Sequence, residues 1–408
     1  MLNWTKEFDT FCFLDNHEYV SDKGSVECLA AAGVSRVISC KAGDALEKLQ
    51  QFIDSKSSWL FGHLGYDLKM ETEQVNSFHP DHIEFPDLFF FEPQILIKVS
   101  GNEMHINASD PDAIFDSIVK TSPEVNGENS VNSIHSRMTK EEYTSTIKKL
   151  QQHILRGDCY EINYCQEFYN EDALIDPHAV FYQLCRVSPN PFSALYRVKD
   201  QWLMCASPER YIKKQGGKIF SQPIKGTSGR FQEDIKRDEE SRDQLFKSAK
   251  DRSENVMVVD LVRNDLARVC REGSVNVDEL YAVYSFPQVH QMISTVSGIL
   301  NEDVSFTDII RATFPMGSMT GAPKKSVVDL IEKYEQTKRG IFSGAVGYIT
   351  PEGDFDFNVV IRSIMYNAEK EYLSFQVGSG ITFYSEAEKE WEECLLKAKA
   401  INKVLRVN

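Results

Sequence analysis

Several features are missing from this sequence, and each absence removes a class of function. No stretch approaches the roughly 18 consecutive apolar residues that a membrane-spanning helix needs. The opening MLNWTKEFDT, followed only by a short FCFL patch, lacks a signal-peptide core. A soluble, cytoplasmic protein is expected. No segment concentrates positive charge either: 45 Lys and Arg face 61 Asp and Glu, for a formal net charge of -16. That balance argues against a nucleic-acid partner, whose phosphates demand local cations. An anionic small substrate stays open, because a few cations or one metal ion reverse the sign inside a pocket. The nine cysteines contain no CxxC pair, so neither zinc nor structural disulfides are expected. A Walker A loop is absent, since Lys324 follows Pro323 rather than Gly, and there is no GxGxxG.

Core material is plentiful. With 408 residues, 42% of them hydrophobic, the chain can form one large domain or two closely packed ones. Residues 1–120 read as a β-rich portion packed on a catalytic core, with runs such as SSWLFGHLGYDL and the pair FPDLFFFEPQILIKVS and NEMHINAS split at Gly101. The sequence turns polar from about Asp110, with PEVNGENSVNS at the centre, and 121–138 reads as a surface connection. Residues 139–408 form the expected catalytic domain. It opens with a capping-box pattern, Thr139 and Glu142, ahead of apolar residues at helical spacing. Strands are expected at QWLMCAS, KIFSQPI, FSGAVGYIT, DFNVVIRSIMY and YLSFQVG, and long helices over Asp238 to Val269, Lys324 to Tyr334 and Ala387 to Leu405. Strands and helices do not alternate regularly, which points to a layered α+β fold and not a doubly wound one.

Two acidic pairs stand out. Glu390, Glu393 and Lys397 share one stripe of the C-terminal helix, beside an apolar stripe of Trp391, Leu395, Ala398 and Leu405. Asp251 and Glu254 form a second acid-x-x-acid pair. Either pair alone reads as a solvated helix face; two such helices together suit a hard cation with oxygen ligands, such as magnesium. Four glycine-rich segments, PIKGTSG, FPMGSMTGAPK, GIFSGAVGY and VGSGI, read either as plain turns or as backbone cradles for carboxylates.

In order along the chain, SPERY, PIKGT, SAKDRSENVMVVDLVRND, VHQMIST, FPMGSMTGAPK, SGAVGY, VVIRS, VGSGIT and EWEECLLKAKAI resemble the chorismate-binding family. That family includes the large subunits of anthranilate synthase and aminodeoxychorismate synthase, together with isochorismate and salicylate synthases. The resemblance covers residues 135–408, with an LGYDL echo at 64–68. It implies a layered β-sandwich core with flanking helices. It also implies Mg2+ bound by Glu254 and Glu393, supported by Asp251 and Glu390, and holding the ring carboxylate of chorismate. Arg362, Lys397 and the amides of Gly378, Ser379, Gly380 and Ile381 resemble the groups that hold substrate carboxylates, a task suited to a guanidinium fork. Thr227 and His290 match positions that contact ring substituents; a buried structural histidine is the alternative for His290.

The choice of reaction rests on two residues. Glu209 matches the family's general acid, which protonates the departing C4 hydroxyl and needs a raised pKa. Lys225 stands where anthranilate and isochorismate synthases typically carry Ala, and resembles the aminodeoxychorismate synthase nucleophile, a desolvated amine neutral enough to attack ring C2. Glu161 aligns with the lysine base of water-adding relatives, whose chemistry a carboxylate does not reproduce; its own role is left open. FLDNHEYV shows no match to the LLES segment that binds tryptophan in regulated relatives, so tryptophan feedback is not expected. No cysteine lies in a GxCxG elbow, so ammonia is expected from a separate glutamine amidotransferase subunit. The leading reading is therefore an aminodeoxychorismate synthase large subunit. Anthranilate synthase is the nearest rival, and a silent chorismate-binding subunit is the second alternative.

Overall fold

Two 13-residue strands, Cys28–Cys40 and Leu88–Ser100, organise the sheet. Their mutual register shifts between Val34 and Arg36, beside Gly33 at φ +69° and opposite Pro93. A bulge of that kind bends a strand, and two wings of sheet depart from this pair. The computed structural model describes residues 1–19, 27–122 and 129–405.

The first wing runs through Thr10–Asp15, Phe192–Val198, Gln201–Ser207, Ser363–Asn367 and Tyr372–Ile381 to Glu161–Asn170. The second runs through Leu60–Leu64, Ala345–Ile349, Phe355–Asn358, Arg210–Gln215 and Lys218–Gln222 to Val289–Ile299, which carries Ile224–Gly229 and Asn276–Ser285. Every one of these ladders is antiparallel. Two of them, Thr10–Asp15 with Phe192–Val198 and Leu60–Leu64 with Ala345–Ile349, hydrogen-bond the N-terminal portion into the sheet of the later residues.

Strand periodicity explains the layers, because successive side chains point to opposite faces. Leu203 and Cys205 join one apolar core, while Trp202, Met204 and Ala206 join the other. The first core fills the space between the wings and also takes in Val258, Val259 and Val262 of the helix Ala249–Ala267. The second lies beneath the helices Lys140–Arg156, Pro177–Val187, Lys324–Tyr334 and Ala387–Leu405. Sheet buried on both faces and flanked by helices is the α+β layered sandwich expected from the sequence.

Four local expectations change. The run DFNVVIRSIMY is not one strand but two, Phe355–Asn358 in the second wing and Ser363–Asn367 in the first. The long helix over Asp238 to Val269 is two helices, Ile235–Lys247 and Ala249–Ala267, broken at Ser248. Ser248 is extended, and its hydroxyl accepts a bond from the Asp251 backbone N–H, so it caps a fresh helix. A second helix, Pro111–Lys120, lies in the stretch read as irregular from Asp110; Asp110 caps it and Pro111 starts it. Residues 123–128 of the polar connection lie outside the described residues. On the C-terminal helix Leu395 is exposed and Cys394 takes the buried position in its place.

Candidate active site

A cavity of about 540 Å³ opens between the acidic helix Ala249–Ala267 and the C-terminal helix Ala387–Leu405. Of the functional candidates singled out from the sequence, Glu161, His290 and Ile381 lie outside its lining. Ile381 is fully buried at the end of its strand.

Lys225 reaches the cavity through a bulge. Ile224 pairs with Ile293 and Thr227 with Gln291, so one strand spends an extra residue at Lys225–Gly226. Bulges re-aim side chains. Gly226 carries φ +92°, and a Cβ there would press within 3.0 Å of Asp251, so glycine suits both the turn and the approach of the acidic helix. The amine, however, is not the uncharged group expected from the sequence. Its Nζ lies 2.6 Å from Glu161 Oε1. Burial works to lower its pKa, but Glu161 first, then Glu254 and Glu209, outweigh that and raise it above the ordinary lysine value. At neutral pH Lys225 is an ammonium.

Glu209 follows the strand Gln201–Ser207. Its backbone N–H donates to Ser207 Oγ, and its carbonyl accepts from Val359 N. The next residue, Arg210, forks onto Asp356 at 2.9 and 3.0 Å and onto Gln222 at 2.6 Å, deep in the core. Backbone and neighbour thus fix where the carboxyl points. Burial pushes Glu209 up to about 7, against the downward pull of the Ser318 hydroxyl and the Lys225 ammonium. A carboxyl so placed holds a proton near neutral pH, as a general acid must.

Four acids line the cavity from two helices: Asp251 and Glu254 from one, Glu390 and Glu393 from the other. Burial pushes Glu254 up to about 7 although Lys225 and Lys250 pull it down, and among the described residues its buried Oε1 has no hydrogen-bond partner, meeting only the exposed Lys250 ammonium at 3.8 Å. A buried carboxylate oxygen left open is costly, and a cation would complete it. Among the described residues no three His, Cys, Asp or Glu side chains form a ready-made cage. The donor set instead fits a hard cation that takes one or two carboxylates and fills its other positions with water and substrate oxygens.

Opposite charge is also on offer. Among the described residues the Arg362 guanidinium has no hydrogen-bond or ion-pair partner, and it lines the cavity. Its φ of +53° lies where non-glycine residues seldom sit, a strain of about 1–3 kcal/mol that clusters at functional sites. Lys397 is already engaged, 2.7 Å from Gly378 O and 2.7 Å from Glu393 Oε1. The segment VGSGI is no turn: Gly378 to Ile381 end the strand Tyr372–Ile381 and pair in register with Cys165 to Ile162. In an antiparallel ladder alternate residues turn their amides away from a given partner strand, so only part of this set is free for a ligand.

His290 is placed differently from the expectation. Its ring is buried, with Nδ1 2.8 Å from Ser285 Oγ and Nε2 3.2 Å from Asp238 Oδ1. It is the satisfied structural histidine of the alternative reading. The next residue, Gln291, lines the cavity beside Thr227, and among the described residues its buried Oε1 has no hydrogen-bond partner. Adjacent strand residues face opposite sides, so a one-residue slip exchanges core for cavity. The period-2 pattern of VHQMIST was the signal that could have found Gln291.

The sequence profile of the chorismate binding enzymes matches residues 11–403. Aminodeoxychorismate synthase component 1 of Klebsiella aerogenes is 34% identical over 344 residues, covering 83% of this chain and 75% of that protein. An anthranilate synthase component I-like protein of Synechocystis is 30% identical over 362 residues, covering 87% and 74%. Anthranilate synthase component I of Streptococcus pneumoniae, 23% identical, shares the fold with a TM-score of 0.82 over 94% of both chains. A match across nearly the whole length, with such relatives spanning most of it, makes this protein a member of the chorismate-binding enzyme family.

Proposed function

We propose that this chain is the synthase subunit of an aminodeoxychorismate synthase, a cytoplasmic enzyme that converts chorismate and ammonia to 4-amino-4-deoxychorismate on the route to 4-aminobenzoate and folate. The observation that carries this reading is Lys225, an amine aimed by a bulge into the same cavity as a carboxyl held near pKa 7, Glu209. In this reading Lys225 Nζ attacks ring C2 while Glu209 protonates the C4 hydroxyl, which leaves as water. Ammonia then adds at C4 and the C2–N bond breaks, releasing Lys225. Covalent catalysis divides one hard substitution into two easier ones.

Arg362, with no hydrogen-bond or ion-pair partner among the described residues, supports the binding of a substrate carboxylate. Glu254 and Glu393, with Asp251 and Glu390 beside them, would hold Mg2+, which when bound neutralises the ring carboxylate. A separate glutamine amidotransferase subunit would supply ammonia. The second reading, anthranilate synthase, draws on the Synechocystis and Streptococcus relatives; it aminates C2 and eliminates pyruvate, and it has no use for Lys225.

Incubation of the purified chain with chorismate, a magnesium salt and an ammonium salt, followed by chromatography, separates the two. The first reading expects 4-aminobenzoate to appear only when an aminodeoxychorismate lyase is added. Fluorescent anthranilate without lyase would overturn it. Lys225→Ala should lower C4 amination by about 10³-fold or more, in the range of lost nucleophiles; unchanged amination defeats the covalent role.

A further inference from the structure

The nucleophile has to lose a proton before it attacks, and the structure offers one contact through which that proton can leave. Glu161 opens the strand Glu161–Asn170 and pairs there with Ala322, while the next residue, Ile162, pairs with Gly321 on one side and Ile381 on the other. Its backbone is therefore held from both flanks, and the residue is 2% exposed. Among the described residues, the one side chain its carboxylate meets is Lys225, at 2.6 Å. The facing strand gives up a side chain for this pair: a Cβ on Gly380 would lie 2.7 Å from Glu161 Oε1 and 3.3 Å from Lys225 Nζ. Any larger residue would part them or push them into the cavity.

We propose that Glu161 is the base that takes the proton from Lys225 and so makes its amine a nucleophile. This rests on Lys225 attacking the ring. The cavity that Lys225 enters is also faced by Glu209, Asp251, Glu254, Glu390 and Glu393 with negative charge and by Lys250, Arg362 and Lys397 with positive. Glu209 gives its proton to the leaving hydroxyl, so it is no acceptor at that moment. Neither Glu254 nor the remaining acids pair with Lys225 among the described residues, whereas Glu161 touches the nitrogen.

Each bond is accounted for. One Nζ–H bond breaks and an O–H bond forms on Glu161, leaving a neutral amine. The amine lone pair forms the bond to C2, the C4–O bond breaks, and the Glu209 proton leaves with the hydroxyl as water. The adduct is a secondary ammonium. When ammonia adds at C4, the C2–N pair returns to Nζ as a neutral amine, and Glu161 gives its proton back to restore the ion pair. The product carries the new ammonium, and Glu209 is reprotonated from the ammonium pool that supplied the ammonia. Bound chorismate excludes water from the pair, which favours the neutral form over two buried charges.

The test compares Glu161→Gln with the parent in ammonia-dependent amination from pH 6.5 to 9. Gln keeps the shape and an acceptor oxygen but takes no proton. The expected result is a kcat about 100-fold lower at pH 6.5, the lower range for a general base, with the KM for chorismate little changed. The deficit should narrow as pH rises, because the variant depends on amine that has already shed its proton to solvent. Glu209 and Glu254 titrate in both proteins, so the ratio of rates isolates Glu161. A second variant, Glu161→Ala, should regain part of its rate with added formate. A deficit of equal size at every pH, no deficit, or no response to formate would overturn the role of Glu161 while leaving Lys225 as nucleophile intact. Amination that survives Lys225→Ala would instead remove the reading beneath it.

Discussion

One strand, Glu161–Asn170, holds two buried charge clusters that differ in a single respect. From Asn163 and Cys165 it braces Arg339 and Glu335. Arg339 donates to both oxygens of Glu335, to the carbonyls of Met319 and Asn163 and to Ser343 Oγ, while Glu335 also accepts the Cys165 N–H. From Glu161 the strand braces Lys225, in a cavity where, among the described residues, the exposed Arg362 has no hydrogen-bond or ion-pair partner, Gln291 Oε1 is buried without a hydrogen bond, and Glu254 Oε1, also without one, meets only the Lys250 ammonium at 3.8 Å. The first cluster is saturated and the second has open valences. Buried polar groups normally find partners within the protein, so a saturated network serves the architecture and an unsaturated one is completed by a ligand.

The contrast can be broken by mutation. The largest effect is expected at the saturated end: Arg339→Met leaves Glu335 charged and unpaired in the core, which should cost about 3–5 kcal/mol of stability, read from urea unfolding. Arg362→Met should do the opposite. It removes a cation with no hydrogen-bond or ion-pair partner among the described residues, so the unfolding midpoint should hold, while the chorismate KM rises about 100-fold, or about 2.7 kcal/mol. If Arg362→Met unfolds the protein, or Arg339→Met leaves stability intact, polar saturation does not separate the two clusters.

A smaller effect carries a sign that depends on pH. Glu209 titrates at about 7 in the fold against an ordinary 4.5, so the folded protein binds that proton more tightly than the unfolded chain does. Its contribution to stability is whole below pH 4.5 and is lost as pH climbs through 7. Glu209→Gln removes the ionisation and should stabilise the protein by about 2 kcal/mol at pH 8 and hardly at all at pH 4.5. The rise from 4.5 to about 7 corresponds to about 3 kcal/mol, already net of the attraction to Lys225, and the amide's poorer fit in the carboxyl's place offsets part of it. Thermal melts at the two pH values check this; a variant less stable than the parent at pH 8 would show that Glu209 is a structural carboxylate after all.

How well the sequence could be read depended on the length scale of each signal. Strand Gln201–Ser207 and helices Lys324–Tyr334 and Ala387–Leu405 match their expected bounds, since hydrophobic periodicity and caps act within a few residues. The break at Ser248 was harder to see. Its capping bond to Asp251 is local, but helix-forming residues on both sides hide it. Lys225 and Glu209 were legible through their motifs, whereas Gln291 was masked by the neighbouring histidine, a more familiar catalytic residue.

From sequence alone came the α+β class, the acid-x-x-acid pairs and the amine in PIKGT, because periodicity and residue chemistry are properties of short segments. Only the tertiary structure decided that the amine is an ammonium, that Gln291 and not His290 meets the cavity, and that Glu161 is its proton-bonded neighbour. Lys225 and Glu161 are 64 positions apart. Charge state and facing direction follow from what the fold brings within about 3 Å, and no local pattern encodes that.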